Sequence, residues 1–176
     1  MDFFQYTLKW CRGEIFMGKL FALFGGIVLI IAILYWVFGT TSFAKALIIP
    51  FLILGFFCAS GGLGMVYTNR ERILAFEEQH LTDPAGFLAA EKERLGELLK
   101  GYPRTLWGMA GVVVVGLCCF LLWAGPYGRA VGITLMLFGI SVLFLNNFSE
   151  ERARLYHQLI VNHPKADSSG SQPGDG

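Results

Sequence analysis

Charge is what this sequence has least of. Only 15% of its 176 residues are Asp, Glu, Lys or Arg, against about a quarter in soluble domains. Its four longest apolar stretches carry no Asp, Glu, Lys, Arg or His. Ion or proton transport through a membrane bundle ordinarily rests on such residues facing the interior, so their absence argues against a carboxylate-driven transporter. The three histidines (His80, His157, His163) form no HExxH spacing and the four cysteines no CxxC, which leaves no metal or redox signature. Gly61-Gly62-Leu63-Gly64 lacks the Lys-Ser/Thr that completes a phosphate loop. No basic stripe points to nucleic acid. With no paired nucleophile and base, the expectation is a non-enzymatic chain without a cofactor.

Cys58, Cys118 and Cys119 fall inside apolar stretches and Cys11 precedes the first, so no extracellular disulfide framework is expected. What is abundant is apolar surface: 55% hydrophobic residues, 15% aromatic and a mean hydropathy of +0.56. A hydrocarbon core of about 30 Å needs about 20 apolar residues in a helix. Residues 20–38, 46–67, 105–124 and 130–148 each meet or approach that length. The first is too long, and its lead-in too aromatic, for a cleaved leader, so it is expected to stay as a span.

The basic residues are unevenly placed. Lys9, Arg12 and Lys19 precede the first span, Arg70, Arg72, Lys92, Arg94, Lys100 and Arg104 lie between the second and third, and Arg152, Arg154 and Lys165 follow the fourth. Lys45 and Arg129 alone lie in the two short turns on the other side. The positive-inside rule then puts both termini and the central interval in the cytoplasm. A bacterial inner membrane suits such a chain.

Small residues recur along the spans at helical spacing. Gly18, Ala22 and Gly26 mark the first, Gly55, Ala59 and Gly62 the second, Gly108 and Gly116 the third, and Gly132 and Gly139 the fourth. In lipid, where apolar burial does not drive association, such faces let helix backbones approach. They are the expected packing seams, within the chain or between chains. The two hairpins, 20–67 and 105–148, also share marks: Lys45 and Arg129, and Leu54-Gly55 and Phe138-Gly139, stand at the same offset. A degenerate tandem repeat of parallel hairpins is expected from this.

Residues 1–19 mix aromatics with charge and are expected as an interfacial segment. The central interval, 68–104, is expected as a cytoplasmic helical loop: a continuation of the second span, then Thr82-Asp83-Pro84 as a helix start. That second helix is expected to stop at Lys100, before Gly101 and Pro103. Phe87, Leu88, Leu95, Leu98 and Leu99 form one apolar stripe on it, suited to the chain's own extensions, the bilayer surface or a partner. These five are the candidate partner-binding residues. Residues 149–163 are expected as a further helical extension and 164–176 as a disordered tail.

The expectation is therefore an all-α integral membrane protein, a four-helix transmembrane bundle with cytoplasmic extensions and one amphipathic helix. Its partners are the lipid bilayer and either a membrane protein or further copies of itself. The favoured function is a non-enzymatic interaction protein: an accessory subunit, an assembly factor or an immunity-type protein. The alternative is an oligomeric channel or transporter component lined by small polar groups such as Ser60, Thr134 and Ser141.

Overall fold

The structure, a computed structural model, describes residues 3–162. Four long helices make it up: α1 (Phe3–Phe38), α2 (Ser42–Thr82), α3 (Pro84–Leu122) and α4 (Pro126–Asn162). Each is long and apolar enough to cross a membrane, and no strand occurs among the described residues. At about 1.5 Å per residue the helices are roughly 55–60 Å long, well beyond a hydrocarbon core of about 30 Å. The surplus lies at one end, where the polar parts of all four helices gather. That end is the charged end, and the opposite one the turn end.

Two tight connections close the turn end. Gly39 donates back to the Tyr35 carbonyl, and the Thr41 hydroxyl accepts from the Ala44 amide at 3.1 Å, capping the start of α2. Between α3 and α4, Gly125 adopts φ +113°, a left-handed conformation that side-chain-bearing residues rarely adopt. Pro126 then opens α4 at a position where its missing N–H costs nothing.

Glycine determines how closely the helices pack. A Cβ on Gly18 would lie 2.9 Å from the Gly62 carbonyl, and one on Gly55 the same distance from the Gly25 carbonyl. Ala22 and Ala59 complete this α1–α2 seam, each with its backbone against a glycine of the other helix. In the second hairpin Gly116 and Gly132 face one another's carbonyls, and Gly139 lies against Met109 and Val113. Gly26 and Gly108, also expected in seams, have no neighbour within 4 Å of a Cβ position. On α1 the position that meets α2 is Gly25, because one residue's step turns a side by about 100°. The hairpins join chiefly through α4, which packs on α2 and more lightly on α1, whereas α1 and α3 meet through side chains at the charged end without close backbone approach.

Two boundaries differ from expectation. Residues 3–19 are not a segment separate from the first span, because α1 runs through them into it without a break. The helix opening at Asp83 does not stop at Lys100 either, and passes through Gly101 and Pro103 into the third span. Its start is as expected: the Asp83 carboxylate accepts the Gly86 amide at 3.0 Å, with proline in the first turn. Proline removes one ladder bond, but long helical segments on both sides hold the rest. The Thr105 hydroxyl donates to the Gly101 carbonyl at 3.3 Å beside the gap. The tail expected over 164–176 lies outside the described residues.

Candidate functional site

The charged end has a core of its own. On α1, Thr7, Trp10, Cys11, Glu14 and Met17 recur at three- and four-residue steps and are all buried, which is the pattern of an inward helix face. Phe76 of α2, Leu95 of α3, and Ala153 and Tyr156 of α4 meet them. Leu98 and Leu99 pack against the same cluster, and Leu95 is 0% exposed. Three of the five candidate partner-binding residues thus face inward within the chain, because the extensions of α1, α2 and α4 stand where the stripe points. The side chains of Phe87 and Leu88 lie outside the described residues.

Two polar constellations are set into this core. In the first, Arg94 grips Glu91 with both ends of its guanidinium, at 2.8 and 2.5 Å, while the pair lies against aromatic rings. Arg94 sits 4.8 Å from the Trp10 ring centroid and 5.8 Å from that of Phe76, within cation–π range. The Tyr156 hydroxyl lies 3.3 Å from Glu91 and 2.6 Å from the Thr7 hydroxyl. Because a phenol has one proton to give, Tyr156 donates to the carboxylate and Thr7 donates to Tyr156. Glu91 is thereby held by α3 and α4 directly and by α1 through the phenol.

In the second, Glu14 of α1 accepts from the Ser149 hydroxyl at 3.0 Å and from Arg152 at 3.1 Å, both on α4. One turn along, Asn146 donates to the Tyr102 carbonyl of α3 at 3.4 Å. Glu14, Asn146, Ser149, Tyr102 and Thr105 border a cavity of about 410 Å³ among the helices. Burial pushes the Glu14 carboxyl above its ordinary value, outweighing Arg152 and Ser149, which favour the charged form. Burial also pushes the Cys11 thiol up to about 11, with Glu91 adding to the effect. A thiol so held is protonated at neutral pH and inert as a nucleophile.

These side chains can clamp four helices in one register. Among the described residues, no three His, Cys, Asp or Glu side chains gather as a metal set. In the spans, Ser60, Thr134 and Ser141 donate to carbonyls one turn earlier in their own helices, at 2.7, 2.8 and 2.6 Å.

Glu14, Glu91, Arg152 and Tyr156 were not expected as site residues. The signal was present in the spacing: Glu14 occupies a step of the stripe containing Thr7, Trp10 and Met17, and Glu91 lies four residues before Leu95. A carboxylate within an apolar stripe marks a buried, partnered group. Compared with known proteins, the chain matches no family model, no curated protein and no solved structure.

Proposed function

We propose that this chain is a non-enzymatic integral membrane protein that binds a membrane-spanning helix of another protein through the uncovered face of α3. The observation that carries this reading is the condition of that helix. Of its apolar window 6% is buried, against 39% in α2. On its outer side Arg104, Gly108, Gly111, Val115, Cys118 and Leu122 follow one another at alternating steps of four and three residues, and all are exposed. This is the spacing of a left-handed helix-pairing seam. At Gly108 and Gly111 a Cβ would meet nothing within 4 Å, so a neighbouring backbone has room to approach, as it does at the glycines within each hairpin.

The charged end supports the same reading, since the Tyr156–Glu91 hydrogen bond, Arg94 against the Trp10 and Phe76 rings and the buried Leu95 tie α3 to the other three helices and hold it in a fixed presentation. It also takes over the apolar stripe of 95–99, which moves the proposed partner surface from that stripe to the span. The proposed setting is a bacterial inner membrane with both termini and the charged end in the cytoplasm. The channel alternative rests on Ser60, Thr134 and Ser141, whose donors are already engaged by their own helices.

Intact-mass measurement of complexes extracted in mild detergent tests the proposal. A second protein is expected to be recovered with the native chain and lost with Gly108→Ile or Gly111→Ile, which leave the fold intact because nothing stands opposite. Ile30→Trp on the exposed face of α1 is expected to keep it. Recovery unchanged in both glycine variants would reject the α3 face, and a homo-oligomer alone would assign the seam to subunit contacts.

A further inference from the structure

A second feature lies where the four helices converge, at the border between the spans and the charged end. Glu14 of α1, Met65 of α2, Tyr102 of α3 and Val142, Leu145 and Asn146 of α4 border the cavity of about 410 Å³. Its two ends differ. Val142 precedes Asn146 by four residues, about 6 Å along α4 toward the hydrocarbon, and with Met65 and Leu145 it makes an apolar end at the edge of the spans. Asn146, Tyr102 and Glu14 make a polar end on the side of the charged extensions.

The polar end holds hydrogen-bonding groups that are still open. Asn146 is 7% exposed and donates its amide N–H to the Tyr102 carbonyl, while its Oδ1 accepts nothing from the described residues. Among those residues, the unpartnered side-chain polar atoms that are sealed off entirely are Trp10 Nε1 and Arg152 Nε. Asn146 Oδ1 is not one of them, so it keeps accessible surface, and the cavity that Asn146 lines provides it. The Tyr102 hydroxyl also lacks a partner among the described residues without being sealed off. Burial raises its pKa and Glu14 adds to the effect, which sets the phenol within electrostatic reach of the carboxylate at this end.

The chemistry of the two ends defines what fits. Both open groups are neutral, and the charge beside them cancels because Glu14 is paired with Arg152. An amide oxygen and a phenol are matched together by one hydroxyl group, which donates one hydrogen bond and accepts up to two. Water carries the same group but suits the other end poorly. A buried water ordinarily makes about three hydrogen bonds, and the side chains of Met65, Val142 and Leu145 offer no N–H or O–H. An apolar body attached to the hydroxyl removes that mismatch, since it gains by leaving water. The order of the cavity, polar toward the charged end and apolar toward the spans, is the order in which an amphiphile sits in a bilayer.

We propose that this cavity binds a neutral amphiphile carrying a hydroxyl group on an apolar body, drawn from the bilayer. The hydroxyl donates to Asn146 Oδ1 and accepts from the Tyr102 hydroxyl, and the apolar body lies against Met65, Val142 and Leu145. The site uses none of the outward positions of α3, so it stands apart from helix pairing on that face.

Equilibrium binding to the full chain in phosphatidylcholine nanodiscs tests this, with empty nanodiscs subtracted to remove partition into the bilayer. The probes are para-hexylphenol, its methyl ether, which accepts but cannot donate, and hexylbenzene, which does neither. The phenol is expected to bind saturably, one per chain, about tenfold more tightly than the ether, the effect of one buried hydrogen bond, and the hydrocarbon is expected to bind more weakly still. Asn146→Leu is expected to weaken binding of the phenol about tenfold. Because that variant also loses the bond to the Tyr102 carbonyl, Tyr102→Phe provides a second test: it keeps the ring, deletes the hydroxyl and is expected to weaken binding several-fold without unfolding. Val142→Phe, which fills the apolar end and leaves both polar groups, is expected to weaken it as well. Equal binding of the three probes, or indifference of the phenol to both Asn146→Leu and Tyr102→Phe, would overturn the proposal and leave the open groups to water. Binding of phenol itself as tightly as its hexyl homologue, with Val142→Phe having no effect, would also overturn it and reassign the site to a water-soluble alcohol.

Discussion

Glu14 is the residue on which charge and packing meet most directly. It sits 6% exposed between α1 and α4, held by Ser149 and Arg152 with Arg72 also near, yet its carboxyl is pushed up because burial outweighs these partners. A carboxyl raised in the folded state binds its proton more tightly there than in the unfolded chain. Its contribution to stability is therefore complete below the ordinary glutamate value of about 4.3 and declines as pH rises through the folded value. Thermal melts of the native chain and of Glu14→Gln across pH 4 to 8 check this. The native chain is expected to lose stability relative to the variant as pH rises, and a constant difference between the two curves would contradict the account. The same residue shows why the site was hard to read from sequence. Its charge was counted with the solvated charges of the lead-in, and only its position in the Thr7–Trp10–Met17 stripe distinguishes it.

At the scale of elements, the helices follow two kinds of signal of unequal reliability. The spans and both turns were legible because an apolar run of about 20 residues has one stable solution in lipid, and because the turns are short and polar. The ends of the extensions were not. Gly101 and Pro103 are local stop signals, but a stop there would free backbone groups on both sides, and the continuous helix of α3 leaves only the single bond that proline removes. The start at Asp83, where side chain and backbone act on the same turn, was legible. The seams divide similarly: small residues at helical spacing announced them, but spacing does not say which glycines meet a neighbour. Gly62→Val puts a branched side chain against the backbone of Gly18 and Ala22, and is expected to destabilise the first hairpin by at least 1–3 kcal/mol, as overpacking does in tight cores. Gly111→Val, with open space at the same point, is expected to change stability little. Reversible unfolding in mixed micelles measures both, and equal effects would mean that the seam does not hold the hairpin.

For the whole molecule, the arrangement is two glycine-seamed hairpins joined chiefly through α4 and locked at one end by two buried acid–arginine constellations. α3 is left with most of its surface uncovered. The uneven distribution of lysine and arginine is the basis for proposing that the locked end faces the cytoplasm. Single cysteines at Glu77 and at Lys45, in a background with Cys118→Ser, are expected to react with an impermeant thiol reagent from opposite faces of the membrane. Reaction from the same face would contradict this orientation.

The central claim is that α3 pairs with a helix of another membrane protein. It is tested most directly by placing a photo-crosslinking residue at Val115 of α3 and, separately, at Ile30 of α1, which is also exposed, in the native membrane. The account expects a discrete protein adduct from position 115 and none from position 30. No adduct from position 115, or the same adduct from both positions, would contradict it.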